Sequence, residues 1–149
     1  MDDLNAEDYL PHRGRMKLID KIILVSKAKA VTESIVNDKW PLFDGHYVNP
    51  VVLVELAAQT AGIYIAWNKE KEKLRTGKER GWIVGINSAS FFTDRIRENS
   101  IISTHITSTL SVDSYMKLSG HTRIEEDLVG EIGLQLFWIE SDELLNNEI

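Results

Sequence analysis

One segment constrains this chain more than any other. Residues 50–67 read Pro-Val-Val-Leu-Val-Glu-Leu-Ala-Ala-Gln-Thr-Ala-Gly-Ile-Tyr-Ile-Ala-Trp, apolar on almost every helical face. Asn49-Pro50 ahead of it is a good helix start, with Asn as the cap and Pro in the first turn. A helix that is apolar all round must be wrapped on most sides by protein. Glu55, Gln59 and Thr60 interrupt the run, so it reads as a buried core helix and not as a membrane span. The helix is predicted over 50–73. The charge run that follows, 68–80, mixes both signs and reads as a solvated helix end fraying at Gly77, then a loop.

The wrapping material is β-like. A short turn around 5–9 ends at Pro11, and strands are predicted over 17–26 and 30–36, where β-branched residues partly alternate with polar ones. A Pro/Gly/Asp loop over 40–49 leads into the helix. After it, strands are predicted over 81–92, 101–110, 115–124 and 129–139, separated by polar turn-like segments at 93–100, 111–114 and 125–128. Residues 1–8 and 141–149 are expected to fray. Two strands, one long helix and four more strands make an α+β domain spanning 1–149, an antiparallel sheet curled around one long central helix. So small a sheet leaves an edge and one helix side uncovered, which dimerisation would remedy.

Composition excludes several classes. The 149 residues suffice for one core, and the net charge of −6 disfavours nucleic acid and anionic membrane surfaces. Cysteine is absent, which removes disulfides, thiolate metal sites and a cysteine nucleophile. The acidic start, MDDLNAEDYL, lacks the basic and apolar regions of a secretory signal, so a cytoplasmic location is expected. No histidine pair has ligand-like spacing, so no metal site is expected, and no phosphate-cradling or nucleophile-elbow motif occurs.

Three features could carry chemistry. Glu55 lies among apolar neighbours, where desolvation favours a neutral acid able to donate a proton. The alternative is a carboxylate on the helix side that reaches solvent, or one satisfied by a buried network. Gln59, four residues on, shares its face and could orient that carboxyl or a substrate group. His46, in Phe43-Asp44-Gly45-His46-Tyr47, is a general-base candidate, although a lone loop histidine is more often merely exposed. The helix N-terminus, with its amides and positive dipole end, suits a developing oxyanion or a thioester carbonyl. Arg95 and Arg97 form a small basic spot in a turn, with Arg13, Arg15 and Lys17 as a second, and both are read as solvated surface; His12 sits just after Pro11.

These residues resemble a known family. Leu10-Pro11-His12-Arg13 with Met16-Lys17-Leu18-Ile19-Asp20-Lys21, then Phe43-Asp44-Gly45-His46-Tyr47, then Val52-Leu53-Val54-Glu55-Leu56-Ala57-Ala58-Gln59-Thr60-Ala61-Gly62, then Gly85-Ile86-Asn87-Ser88-Ala89-Ser90-Phe91 are similar, in order, to the boxes of the 3-hydroxyacyl-(acyl carrier protein) dehydratases. The resemblance implies a hot-dog fold. It also implies a dimer with two interfacial sites, a substrate thioester of acyl carrier protein or CoA, and no cofactor. His46 would take the Cα proton and the partner's Glu55 would protonate the departing 3-hydroxyl.

Two positions depart from that pattern. The stretch between His46 and Glu55 is shorter than in the family, and without a gap the family histidine falls on Pro41. Pro50 stands where the family has a glycine whose N–H polarises the thioester carbonyl, and proline has no N–H; the Val51 amide is the substitute. Glu55, Gln59 and the short loop more closely resemble the dehydratase-like proteins of aryl-polyene biosynthesis, some of which lack the standard His and pair with a catalytic hot-dog subunit; Glu55 and Gln59 transfer to that branch and His46 does not. The expected function is 3-hydroxyacyl thioester dehydration by a homodimer, a heterodimer with another hot-dog subunit, or a higher assembly of dimers. The alternatives are a non-catalytic acyl-binding accessory subunit and a hot-dog thioesterase, in which the helix Glu activates water or attacks directly.

Overall fold

The Asn49 cap and the apolar run behind it fold as expected, into one long helix, α1, Val52–Thr76. The computed structural model describes residues 4–76 and 80–140, with side chains over 4–72 and 85–137. Gly77 and residues 141–149 lie outside the described residues. The strands are β1 (Lys21–Val25), β2 (Lys29–Ile35), β3 (Tyr47–Val48), β4 (Arg80–Phe91), β5 (Ile96–Arg97), β6 (Ile101–Val112), β7 (Tyr115–Ile124) and β8 (Asp127–Glu140). Six of them form one sheet, ordered β1-β2-β6-β7-β8-β4, with every neighbouring pair antiparallel. This sheet packs on α1 through all six strands, the α+β hot-dog arrangement expected from the sequence.

Alternation explains the wrap. Ala30, Thr32 and Ser34 in β2, Ile102, Thr104 and Ile106 in β6, and Ile132, Leu134 and Leu136 in β8 are buried, with less buried residues between them. The apolar ones meet Leu53, Leu56, Ala57, Ala61 and Ile63 of the helix in one hydrophobic cluster. Glycine permits the closest approach. A Cβ on Gly120 would sit 3.0 Å from Ile106 Cδ1 and 3.5 Å from Ala57 Cβ, and one on Gly130 only 2.8 Å from Leu53 Cδ1. Polar staples fix the helix along its length. Thr60 Oγ1 lies 2.8 Å from Thr32 Oγ1, Tyr64 Oη donates to Lys27 O at 2.7 Å, and Asn68 Nδ2 donates to Ser26 O at 3.2 Å.

The structure departs from the sequence expectations in two places. The strand predicted over 17–26 shortens to β1, because Gly14 (φ +57°) opens a 3₁₀ turn over Gly14–Met16. Beyond that turn, Leu18 N–H donates to Gln59 Oε1 at 3.0 Å instead of joining a ladder. Second, the segments 40–49 and 93–100, expected as loops, each contain a two-residue strand. Tyr47 pairs with Arg97 and Val48 with Ile96. Two residues are too few for any alternation signal, and the pairing is made across the whole helix and β4. Near the N-terminus, the 3₁₀ turn Ala6–Asp8 is capped by Asn5 and buries Ala6 in the core.

Candidate active site

The site is built where the N-terminal segment crosses the start of α1. Arg13 holds that segment in shape, its guanidinium donating to the carbonyls of Leu10, His12 and Glu7. Gln59, 1% exposed, then ties the segment to the helix. Its Nε2 donates to Met16 O at 2.7 Å and to Glu55 Oε1 at 3.0 Å, while its Oε1 accepts Leu18 N–H. The i,i+4 pairing read from the sequence is therefore a direct hydrogen bond.

Glu55 keeps 46% of its side-chain surface exposed. The apolar flanks do not engulf it, because the helix points this face toward an open groove; of the alternatives left by the sequence, it takes the helix side that reaches solvent. The groove encloses about 550 Å³ and is lined by Met16, Leu18, Trp40, Leu42, Val51 and Val52, with Arg15, Lys39 and Glu55 as its charged groups. That is a volume suited to a small-molecule chain, with apolar walls and a few polar groups to orient it. Met16, Leu42 and Val51 are large apolar side chains left exposed on its walls.

The helix N-terminus does not present free amides, contrary to the sequence expectation. Val51 N–H donates to the Asn49 side chain at 3.0 Å. Val52, Leu53 and Val54 N–H donate to the carbonyls of Asn49, Pro50 and Val51 at 3.1, 2.9 and 3.0 Å. The 3₁₀ winding of the first turn and the cap consume every donor, and buried Pro50 offers none. For the Val51 amide to hold a thioester carbonyl, Asn49 has to release it.

His46 lies elsewhere on the chain. Asp44 Oδ1 accepts the amides of His46 and Tyr47 at 2.9 and 2.8 Å, which holds the Asp44 carboxyl below the usual range. The imidazole is exposed and lines a separate depression of about 330 Å³ with Tyr47, Arg97, Glu98 and Asn99. A single chain thus does not bring His46 to Glu55. The histidine it does bring there is His12, whose Nε2 is 3.7 Å from Glu55 Oε1. The Leu-Pro-His-Arg box was visible in the sequence, but nothing in its spacing tied it to a helix begun some forty residues later. Among the described residues, no group of three or more His, Cys, Asp or Glu side chains converges to hold a metal ion. Nor is any described helix long and apolar enough to cross a membrane.

A family model for ApeP-like proteins, described as ApeP dehydratase, matches residues 4–144. The chain belongs to the ApeP-like dehydratase family. This ApeP-like chain is also similar to the 3-hydroxyacyl-(acyl-carrier-protein) dehydratases FabZ. It is 24% identical to that of Nitratiruptor sp. over 147 residues, covering 94% of this chain and 99% of the relative. It is 40% identical to that of Streptococcus gordonii over 79 residues, a match that spans 49% of this chain and 56% of the relative's length. Among solved structures, it matches "The Dehydratase Heterocomplex ApeI:P from Xenorhabdus doucetiae" with a TM-score of 0.74 at 19% identity, over 97% of each chain. The thioesterase HI1161 from Haemophilus influenzae follows at a TM-score of 0.59 and 16% identity, covering 80% of this chain and 78% of that one. At these identities the structural likeness speaks for the fold.

Proposed function

We propose that this ApeP-like chain is a subunit of a 3-hydroxyacyl thioester dehydratase, acting on acyl carrier protein or CoA substrates in fatty-acid or polyene-type synthesis. The observation that carries the reading is Glu55, fixed by Gln59 on the wall of an apolar groove. The acyl chain lies along that groove. A base removes the Cα proton, the electrons form the Cα–Cβ double bond, and the Cβ–O bond breaks as Glu55 protonates the hydroxyl, releasing water and an enoyl thioester. Microscopic reversibility makes Glu55 the base of the hydration direction. His46 of a second subunit serves as the Cα base, and the Val51 amide, once uncapped, receives the thioester carbonyl.

Dimerisation supports this arrangement. Among the described residues β4 ends the sheet with one edge unpaired, and Ile86, Phe91 and Phe92 on or just after it are exposed. The partner is a second copy or another hot-dog subunit. A cytoplasmic location goes with carrier-protein substrates and a chain without cysteine. The accessory-subunit reading is favoured by one specific observation, the helix start with all its amides engaged. Turnover of 3-hydroxyacyl and enoyl thioesters by the purified assembly, for wild type, Glu55→Gln and His46→Ala, separates these readings. The dehydratase reading expects a loss of about a hundredfold or more in kcat for Glu55→Gln. Three preparations with the same near-zero rate point to the accessory subunit, and hydrolysis of acyl-CoA abolished by Glu55→Gln alone points to a thioesterase.

A further inference from the structure

We infer that His12 is a second positioning residue of Glu55, acting with Gln59 on the same carboxyl oxygen, Oε1, through an Nε2–H donor. The inference deepens the dehydratase reading and rests on it for its kinetic arm.

The two ring nitrogens of His12 sit in different surroundings. Nδ1 of His12 is buried and has no hydrogen-bond partner among the described residues. A buried Nδ1 is left unpaired in either tautomer, but only Nε2 faces an acceptor, and a carboxylate oxygen attracts an N–H there and repels a bare lone pair. The neutral ring therefore carries its proton on Nε2, the atom that faces Glu55 Oε1 at 3.7 Å. The carboxylate sets the tautomer, and the tautomer aims a donor back at it. At 3.7 Å the contact is longer than a hydrogen bond, the usual state of a catalytic pair before substrate tightens the site.

The backbone makes this placement deliberate. Pro11 precedes the histidine, and the Arg13 guanidinium, bonded to the carbonyls of Leu10, His12 and Glu7, folds the chain back on itself. Met16 and Leu18, a few residues on, are locked to Gln59. The segment is thus pinned on both sides of His12, and both groups facing Glu55 Oε1 come from structures anchored independently of it. Of the other charges on this segment, Arg15 lines the groove with Glu55. Glu7 pairs with Arg13 at 3.9 Å and with Lys17 at 3.5 Å. With Gln59 and His12 both directed at Oε1, the second oxygen, Oε2, is the one left for substrate.

The test compares His12→Ala and His12→Gln with wild type in the active assembly. The amide nitrogen of Gln reaches the place of Nε2 and donates a hydrogen bond without titrating. Expected are a fall of about tenfold in kcat for His12→Ala with KM within about twofold, and recovery to within about threefold of wild type in His12→Gln. Full activity in His12→Ala, or a loss that Gln does not recover, overturns the inference. A second readout does not depend on turnover. In alkaline buffer, the ¹⁵N imidazole spectrum should show His12 protonated at Nε2, with ring resonances that move on Glu55→Gln while those of His105 and His121 stay. An Nδ1-protonated ring, or one indifferent to Glu55→Gln, overturns the positioning role even in a protein that turns over nothing. Inert wild type with the Nε2–H coupled to Glu55 instead removes the dehydratase reading and leaves the pair intact.

Discussion

The amide of Gln59 serves three partners in a place that is 1% exposed, so its loss cannot be repaired by water. Gln59→Leu keeps the volume but strands Leu18 N–H and Met16 O. Urea unfolding should show a loss on the order of 2 kcal/mol, and turnover should fall as Glu55 loses its orienting bond. Buried hydroxyls give the opposite sign where they lack partners. Thr104 Oγ1 is buried with no partner among the described residues, whereas Thr32 Oγ1 has Thr60 at 2.8 Å. Thr104→Val should therefore stabilise by about 1 kcal/mol and Thr32→Val should destabilise by a similar amount in the same melts. His105 adds a pH dependence. Burial first, then Arg123, Lys29 and His121, lower its proton affinity. The unfolded ring then binds a proton where the folded ring does not, so stability falls as pH drops from about 6.5 through the folded value. Thermal melts at successive pH values should show that slope, and His105→Gln should flatten it.

At the scale of elements, the fit of α1 into the sheet depends on two positions that have no side chain. A methyl on Gly130 would meet Leu53 Cδ1 and Thr122 Oγ1 at 2.8 Å each, so Gly130→Ala should cost about 1–3 kcal/mol in denaturant unfolding. An unchanged midpoint would mean that the helix shifts freely. The elements themselves were legible in the sequence for a physical reason. The strand of residues 115–124 was delimited as it stands, since polar turns bound it on both sides, and the helix was plain from its cap and apolar run. What was not legible depends on contacts distant in sequence. Gly120 and Gly130 look like any strand glycine until the helix is laid over them, β3 and β5 exist only because they find each other, and residues 17–20 left the first strand because Gln59 took the Leu18 amide. The site follows the same division. Glu55 and Gln59 share a helix, so their pairing could be read from spacing, whereas His12 reaches Glu55 only through the fold of the Arg13 segment.

For the whole molecule, the open edge of β4 is the feature with most influence. Phe92 N–H donates to Val129 O, so by alternation the amides of Ala89 and Phe91 point away from β8. Ala89→Pro removes one outward donor without breaking the β4–β8 ladder, and proline is tolerated at such an edge. Sedimentation should show a dimer for wild type and a monomer for Ala89→Pro, with a folded circular dichroism spectrum in both; a dimer in both would place the interface elsewhere. The tight seat of the helix has a consequence of a different kind. With Leu53 pressed on Gly130 and Ala57 on Gly120, the described residues leave no room for a hydrocarbon tail between helix and sheet at these two crossings. A tail that starts beside Glu55 has to run along the outer flank of the helix, roofed on one side by its own subunit and on the other by whatever docks there. On the proposed dehydratase reading, the ruler for chain length is then shared property, and exchanging the second subunit should change the preferred substrate without touching a residue of this chain.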